Sequence, residues 1–171
     1  MTSRTLLNLV GFQACWFALV LLAAAGHPWL GMAVLAVAVA WNLYAASAPA
    51  RELQLLGAAL LLGLAGETAL HWAAVTGYPP QAWTGEPVPV WMVGLWINFA
   101  TTLHVSLAWL RGRLVMATLA GAVAGPLSYF GGQRLGAITL HPEPLIWIVG
   151  IGLLWAVATP LLVWAAEVTA V

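Results

Sequence analysis

The sequence predicts an all-α fold, a polytopic bundle of about six membrane-spanning helices. Three observations predict it. Hydrophobic residues make up 63% of the chain and charged residues only 6%, against roughly 25% charged in soluble domains. Apolar runs of about twenty residues, the length that spans a bilayer, recur between short breaks rich in proline, glycine or arginine. The 171 residues hold about six such runs with short connections, so they form one domain, 1–171. Five arginines balance five glutamates, and lysine and aspartate are absent. Nothing in that balance suggests a nucleic-acid partner. The lone cysteine, Cys15, excludes an intrachain disulfide and a cysteine metal cluster.

The first span is expected over residues 6–25. Ala23-Ala24-Ala25 resembles a cleavage site, but the run is too long for an ordinary signal-peptide core and carries Asn8 and Gln13, so it is read as a retained helix. His27-Pro28 turns the chain into a second span, 29–47, with Trp41 and Tyr44 near its end as an interfacial belt. Pro49-Ala50-Arg51-Glu52 leads into a third span, 53–75, whose Gly57, Gly63 and Gly66 allow close helix approach. The stretch Thr76–Pro89 is rich in proline and glycine, which forbids a regular element there. In it, Trp83 is a candidate cover for a cavity mouth. A fourth span is expected over 90–110, closed by Arg111-Gly112-Arg113. The fifth, 114–130, carries Thr118, Gly121, Gly125 and Tyr129 on one stripe. Its Gly121-x-x-x-Gly125 pattern predicts a tight helix contact, either within the chain or with a second copy or partner membrane protein. The sixth span, 145–166, has little polar content beyond Thr159.

Arginine placement sets the expected orientation. With the N-terminus inside, Arg4, Arg51, Arg111 and Arg113 lie on the cytoplasmic side and only Arg134 lies outside. This predicts N-in and C-in, with Thr76–Pro89 outside.

Few side chains here can carry chemistry, and they stand out. Glu67 sits inside the third span, where a carboxylate is expensive and tends to be functional. His71 follows one helical turn later and shares its face, so the two are candidates for an acid/base pair. In the fourth span Asn98, Thr102 and Ser106 climb one side at i, i+4 spacing, with Thr101 and His104 widening the polar face. Such a face cannot look at lipid tails. Asn98 and His104 both donate and accept hydrogen bonds. Thr101, Thr102 and Ser106 also have a structural role open to them, bonding to their own helix or to a neighbour. The chain has no histidine box, P-loop or nucleophile elbow. Glu67 with His71 and His104 could make a two-histidine, one-carboxylate set, but the spacing is unspecific, and no metal or cofactor is assigned. The expected catalytic pair is Glu67 and His71. The expected ligand-binding residues are Asn98, Thr102, His104 and Tyr129.

Three stretches carry a resemblance. They are Asn8-x-x-Gly11-Phe12-Gln13-x-x-Trp16-Phe17; Phe99-Ala100-Thr101-Thr102-Leu103 continuing to Ser106-Leu107-x-Trp109-Leu110; and Gly125-Pro126-Leu127-x-Tyr129. With these the chain resembles, over essentially its whole length, a bacterial family of small integral membrane proteins catalogued only as a domain of unknown function. The family pattern has Asn-His-Ser after Leu103, whereas this chain has His104-Val105-Ser106, an imidazole one residue earlier. Members tend to be encoded beside lipid-modifying enzymes, which implies membrane-lipid metabolism by association. The expected role is therefore binding or processing of a lipid or other hydrophobic molecule in an intramembrane polar cavity between the third, fourth and fifth spans of a bacterial inner-membrane protein, with membrane lipids as partners. A small proton-coupled transporter and a non-catalytic scaffold are the alternatives.

Overall fold

Every break between helices falls at a residue that ends or starts one. The computed structural model describes residues 3–83 and 87–169, in which six α-helices follow one another: α1 (Ser3–Ala24), α2 (Pro28–Ala45), α3 (Pro49–Trp72), α4 (Val90–Ala100), α5 (Leu114–Arg134) and α6 (Pro144–Val168). Proline stands in the first turn of α2, α3 and α6, where its missing N–H has no helical partner to lose. The architecture is a helical bundle. Five helices, all except α4, are long and apolar enough to cross a membrane, which makes this a multi-pass membrane protein. Leucine, valine and tryptophan side chains stay exposed along their outer faces, as lipid-facing residues do.

The helices alternate in direction, so the bundle has two ends. One end holds Arg4, Arg51, Arg111 and Arg113 and is called here the basic end. At the other, the hairpin end, two-residue strands β1 (Thr76–Gly77) and β2 (Thr139–Leu140) pair antiparallel, with Thr76 opposite Leu140 and Gly77 opposite Thr139. The expectation that Thr76–Pro89 holds no regular element is thus corrected. His141 extends the pairing by donating its backbone N–H to Val75 O at 3.0 Å. Residues 84–86 of this loop lie outside the described residues.

The fourth span also departs from expectation. The helix expected over 90–110 stops at Ala100, giving α4 a length of only about 17 Å at 1.5 Å per residue, and turns follow up to a short 3-10 helix at Ala108–Leu110. The polar side chains cause the break. The hydroxyls of Thr101 and Thr102 bond back to the carbonyls of Asn98 and Phe99 at 2.7 and 2.6 Å, competing with the helical ladder. Two asparagines then capture the freed backbone. Asn8 Nδ2 and Asn42 Nδ2 both donate to Thr101 O, at 3.0 and 3.3 Å. Asn8 Oδ1 accepts from the Ser106 hydroxyl at 2.6 Å and from the Ser106 backbone N–H at 3.2 Å. Asn8, Asn42, Thr101, Thr102 and Ser106 are therefore the clasp that ends α4 and ties it to α1 and α2.

α5 and α6 pack most closely of all helix pairs. A Cβ at Gly121 would overlap Trp155 O and Thr159 Oγ1, and one at Gly125 would lie 2.6 Å from the Trp155 ring. Pro126 lacks the N–H that would bond Ala122 O, and Gly152 of α6 packs over that carbonyl, its Cβ position only 3.3 Å away. The tight helix contact expected at the Gly121–Gly125 face is made within the chain, to α6. On α3, Gly63 and Gly66 make room for Trp96 and Leu154.

At the basic end His104 fastens the turns after α4 to the first turn of α3 and the last of α6. Its Nδ1 lies 2.9 Å from Glu52 Oε1 and its Nε2 3.1 Å from Ala166 O. Both neighbours are acceptors, so both ring nitrogens are best used as donors, as in the imidazolium. The Glu52 hydrogen bond accordingly raises the pKa of His104 above its ordinary 6.5. A raised folded-state value gives stability that is full below the ordinary value and is lost as the pH rises through the folded one. The detergent-solubilised protein should melt at a lower temperature at about pH 9 than at about pH 6. That difference should shrink in His104→Gln, and an unchanged difference in the variant would assign it elsewhere.

Candidate functional site

Glu67 has no exposed surface. It lies on the inner face of α3, next to the glycines that admit α4 and α6, so burial follows from its position in the stripe. Three donors take the place of water. Trp96 Nε1 of α4 donates to Oε1 at 2.8 Å, the Tyr129 hydroxyl of α5 donates to the same oxygen, and the Tyr78 hydroxyl donates to Oε2 at 3.3 Å. The carboxyl thus joins α3, α4, α5 and the hairpin-end loop at one point. Among the described residues the only ion pair is His104–Glu52, so hydrogen bonds rather than a counter-ion hold Glu67.

Tyr78 reaches Glu67 because β1 folds the chain back over the end of α3. Its ring stacks on His71 at 6.0 Å between centroids and meets Trp91 edge-on at 6.1 Å. Burial, then the Glu67 carboxylate, push the Tyr78 hydroxyl well above the ordinary phenol pKa, so it stays a donor. The expected direct Glu67–His71 pair is corrected: His71 meets the group through the Tyr78 ring, and its buried Nδ1 has no hydrogen-bond partner among the described residues.

Tyr129 and Trp96 also form part of the wall of a cavity of about 280 Å³ between α1, α4, α5 and α6. It differs from the polar cavity expected between the third, fourth and fifth spans, because α1 and α6 rather than α3 wall it and its surface is aromatic and apolar: Trp155 stacks on Trp96 at 4.3 Å and meets Phe99 edge-on at 5.4 Å. Across it, Trp16 Nε1 of α1 donates to Ser128 Oγ of α5 at 3.0 Å. Thr159 lines it too, 2% exposed, with a hydroxyl that has no hydrogen-bond partner among the described residues. Ala120, Ala124 and Trp109 are lining residues that are exposed, so the cavity opens on the flank of the bundle. The three stretches singled out in the sequence converge here: Phe12 and Trp16 from the first, Phe99, Leu107, Trp109 and Leu110 from the second, Gly125 and Tyr129 from the third. An apolar cavity with a few convergent polar groups is the usual form of a small-molecule site.

The structure brings together two of the six residues expected at a site, Glu67 and Tyr129, with His71 one ring away. Asn98 does not join them, because its Nδ2 donates to Phe12 O at 3.0 Å and so ties α4 to α1. Thr102 is spent on ending α4. His104 is at the basic end, so the Glu67, His71 and His104 set is not assembled. Trp83 does not line the cavity; its ring lies 6.3 Å from Trp29, across the turn that joins α1 to α2. Tyr78 and Trp96 complete the carboxyl's surroundings, although neither stood out in the sequence.

A family model matches residues 5–161, and the family is described as a protein of unknown function, DUF2878. No curated protein and no solved structure matches the chain.

Proposed function

The chain belongs to this DUF2878 family of unknown function, and we propose that it binds a mainly apolar molecule, a membrane lipid or a derivative of one, in the cavity between α1, α4, α5 and α6. The observation that carries this is the pairing of a flank-opening aromatic cavity with a buried carboxyl behind its wall. Apolar parts of the ligand lie against Trp96, Phe99 and Trp155. Its polar group meets Thr159 and the Tyr129 hydroxyl, which donates to Glu67 and keeps its oxygen lone pairs for a ligand donor. If the ligand is processed as well as bound, Glu67 is the proton donor or acceptor and acts through Tyr129. Four arginines at one end against Arg134 at the other support placing the basic end in the cytoplasm of a bacterial inner membrane.

A second reading has its own support. The His71–Tyr78–Glu67 row runs from the hairpin end to the buried carboxyl, as a proton-coupled transporter would need. It predicts uptake into vesicles that depends on a proton gradient and is lost in Glu67→Gln. A scaffold that works through the Gly121–Gly125 face has no such support.

Comparative lipidomics tests the first reading, using a strain lacking the protein and strains restored with the wild type, Glu67→Gln or Tyr129→Phe at equal expression. Expected is a lipid species that changes in the deletion, recovers with the wild type and stays altered in both variants. Identical profiles in all four strains would overturn the lipid reading.

A further inference from the structure

Three of the five arginines meet at the basic end. Arg4, Arg51 and Arg111, with Ser47 and Thr169, line a polar pocket of about 200 Å³. Among the described residues none of the three has a carboxylate partner, because the one ion pair joins His104 to Glu52. Their hydrogen bonds to protein are weak: Arg4 reaches Ala45 O at 3.3 Å, Arg111 reaches His104 O at 3.4 Å, and Arg111 Nε is buried without a partner among the described residues. Glu52 also lines the pocket, but its Oε1 faces His104 and the pocket's balance stays positive. Guanidinium groups in such an arrangement match the oxygens of a phosphate.

Arg4 lines a second space as well, a groove of about 760 Å³ between α1 and α2. Leu7, Gly11 and Cys15 form one wall; Val34, Ala38 and Trp41 form the other. Below Cys15 the helices close, with the Cβ position of Gly31 only 3.1 Å from Leu19 Cα. The α1 wall from Ser3 to Cys15 is about 18 Å deep at 1.5 Å per residue. Half of a hydrocarbon core is about 15 Å, so the groove is one leaflet deep. Asn42, whose Oδ1 is buried without a partner among the described residues, lines it with Arg4 and offers an acceptor to a headgroup hydroxyl.

We propose that the basic end is a binding site for an anionic phospholipid, with its phosphate among Arg4, Arg51 and Arg111 and an acyl chain in the α1–α2 groove. A free phosphate would use only the pocket, whereas the shared Arg4 joins the pocket to the groove. The site is separate from the Glu67 cavity and does not depend on its reading.

The test uses the purified full chain in detergent and records its melting temperature against added phosphatidylglycerol, phosphatidylcholine or inorganic phosphate. Phosphatidylglycerol should stabilise at about tenfold lower concentration than phosphatidylcholine, and phosphate should leave the midpoint unchanged. Gly11→Leu separates binding from folding, because a Cβ there meets nothing within 4 Å and a helical glycine is lost. It should fold as well as wild type and weaken the phosphatidylglycerol response by about tenfold. Arg51→Gln should remove the preference for phosphatidylglycerol and keep the response to phosphatidylcholine. Equal responses to the two lipids would overturn the proposal. So would a shift reproduced by phosphate alone, or a Gly11→Leu protein that responds like the wild type.

Discussion

Glu67→Ala should lose most of the protein's stability, on the order of 4 kcal/mol, whereas Glu67→Gln should lose about 1 kcal/mol. Alanine removes the acceptor shared by Trp96, Tyr129 and Tyr78. Trp96 and Tyr129 are buried, so their donors find no water, and each orphaned buried donor costs about 1–3 kcal/mol. The truncation also leaves a void that close packing on three sides keeps from collapsing. Glutamine keeps the side-chain volume and one oxygen for Trp96. Its amide N–H₂ then faces a tyrosine hydroxyl that can turn to accept. Denaturant unfolding in detergent would measure both. An alanine variant as stable as wild type would contradict a role for Glu67 at the junction of α3, α4 and α5. The glutamine variant separates folding from function, since the fold persists while the proton and its negative charge are gone.

Gly121→Leu should be about as damaging by a different route. The obstruction at Gly121 includes a backbone carbonyl, Trp155 O, which cannot rotate away. The side chain must push α5 from α6, and overpacking of this kind costs about 1–3 kcal/mol or more. Even Gly121→Ala should be destabilised, since its Cβ already overlaps Trp155 O. Gly57→Ala serves as the control. Its Cβ meets nothing within 4 Å, so it should match or exceed wild-type stability by up to about 1 kcal/mol. Equal melting temperatures for the Gly121 and Gly57 variants would show that the α5–α6 contact is not as close as described.

The span pattern was legible because its signals are local. Proline at helix starts and apolar runs of bilayer length need no tertiary information. Glu67 was legible for the same reason, as a carboxylate inside an apolar run stands out without a structure. Tyr129 shares a stripe with Gly121 and Gly125, and the helix does continue there. The fourth span misled because i, i+4 spacing carries information only while the helix persists. Asn98, Thr102 and Ser106 looked like one polar face, but the threonine hydroxyls break the ladder that would have aligned them. The asparagines that hold the break, Asn8 and Asn42, are 93 and 59 residues away from Thr101. Tyr78 was hidden because its position depends on a pairing between residues 76–77 and 139–140, which no local pattern in a proline-rich loop announces. Trp96 was one of eleven tryptophans, and only the partner of its indole N–H distinguishes it.

A mainly apolar ligand is expected in the cavity beside Tyr129. The most direct measurement extracts the full chain from its own membrane and quantifies co-purifying small molecules by mass spectrometry, for wild type, Ala124→Phe and Gly11→Leu. Ala124 lines the cavity where it opens, so phenylalanine there fills the entrance. One apolar species should accompany the wild type and Gly11→Leu and be lost from Ala124→Phe, while a groove-bound phospholipid shows the opposite pattern. The same molecules in the same amounts with all three proteins would contradict a ligand in this cavity.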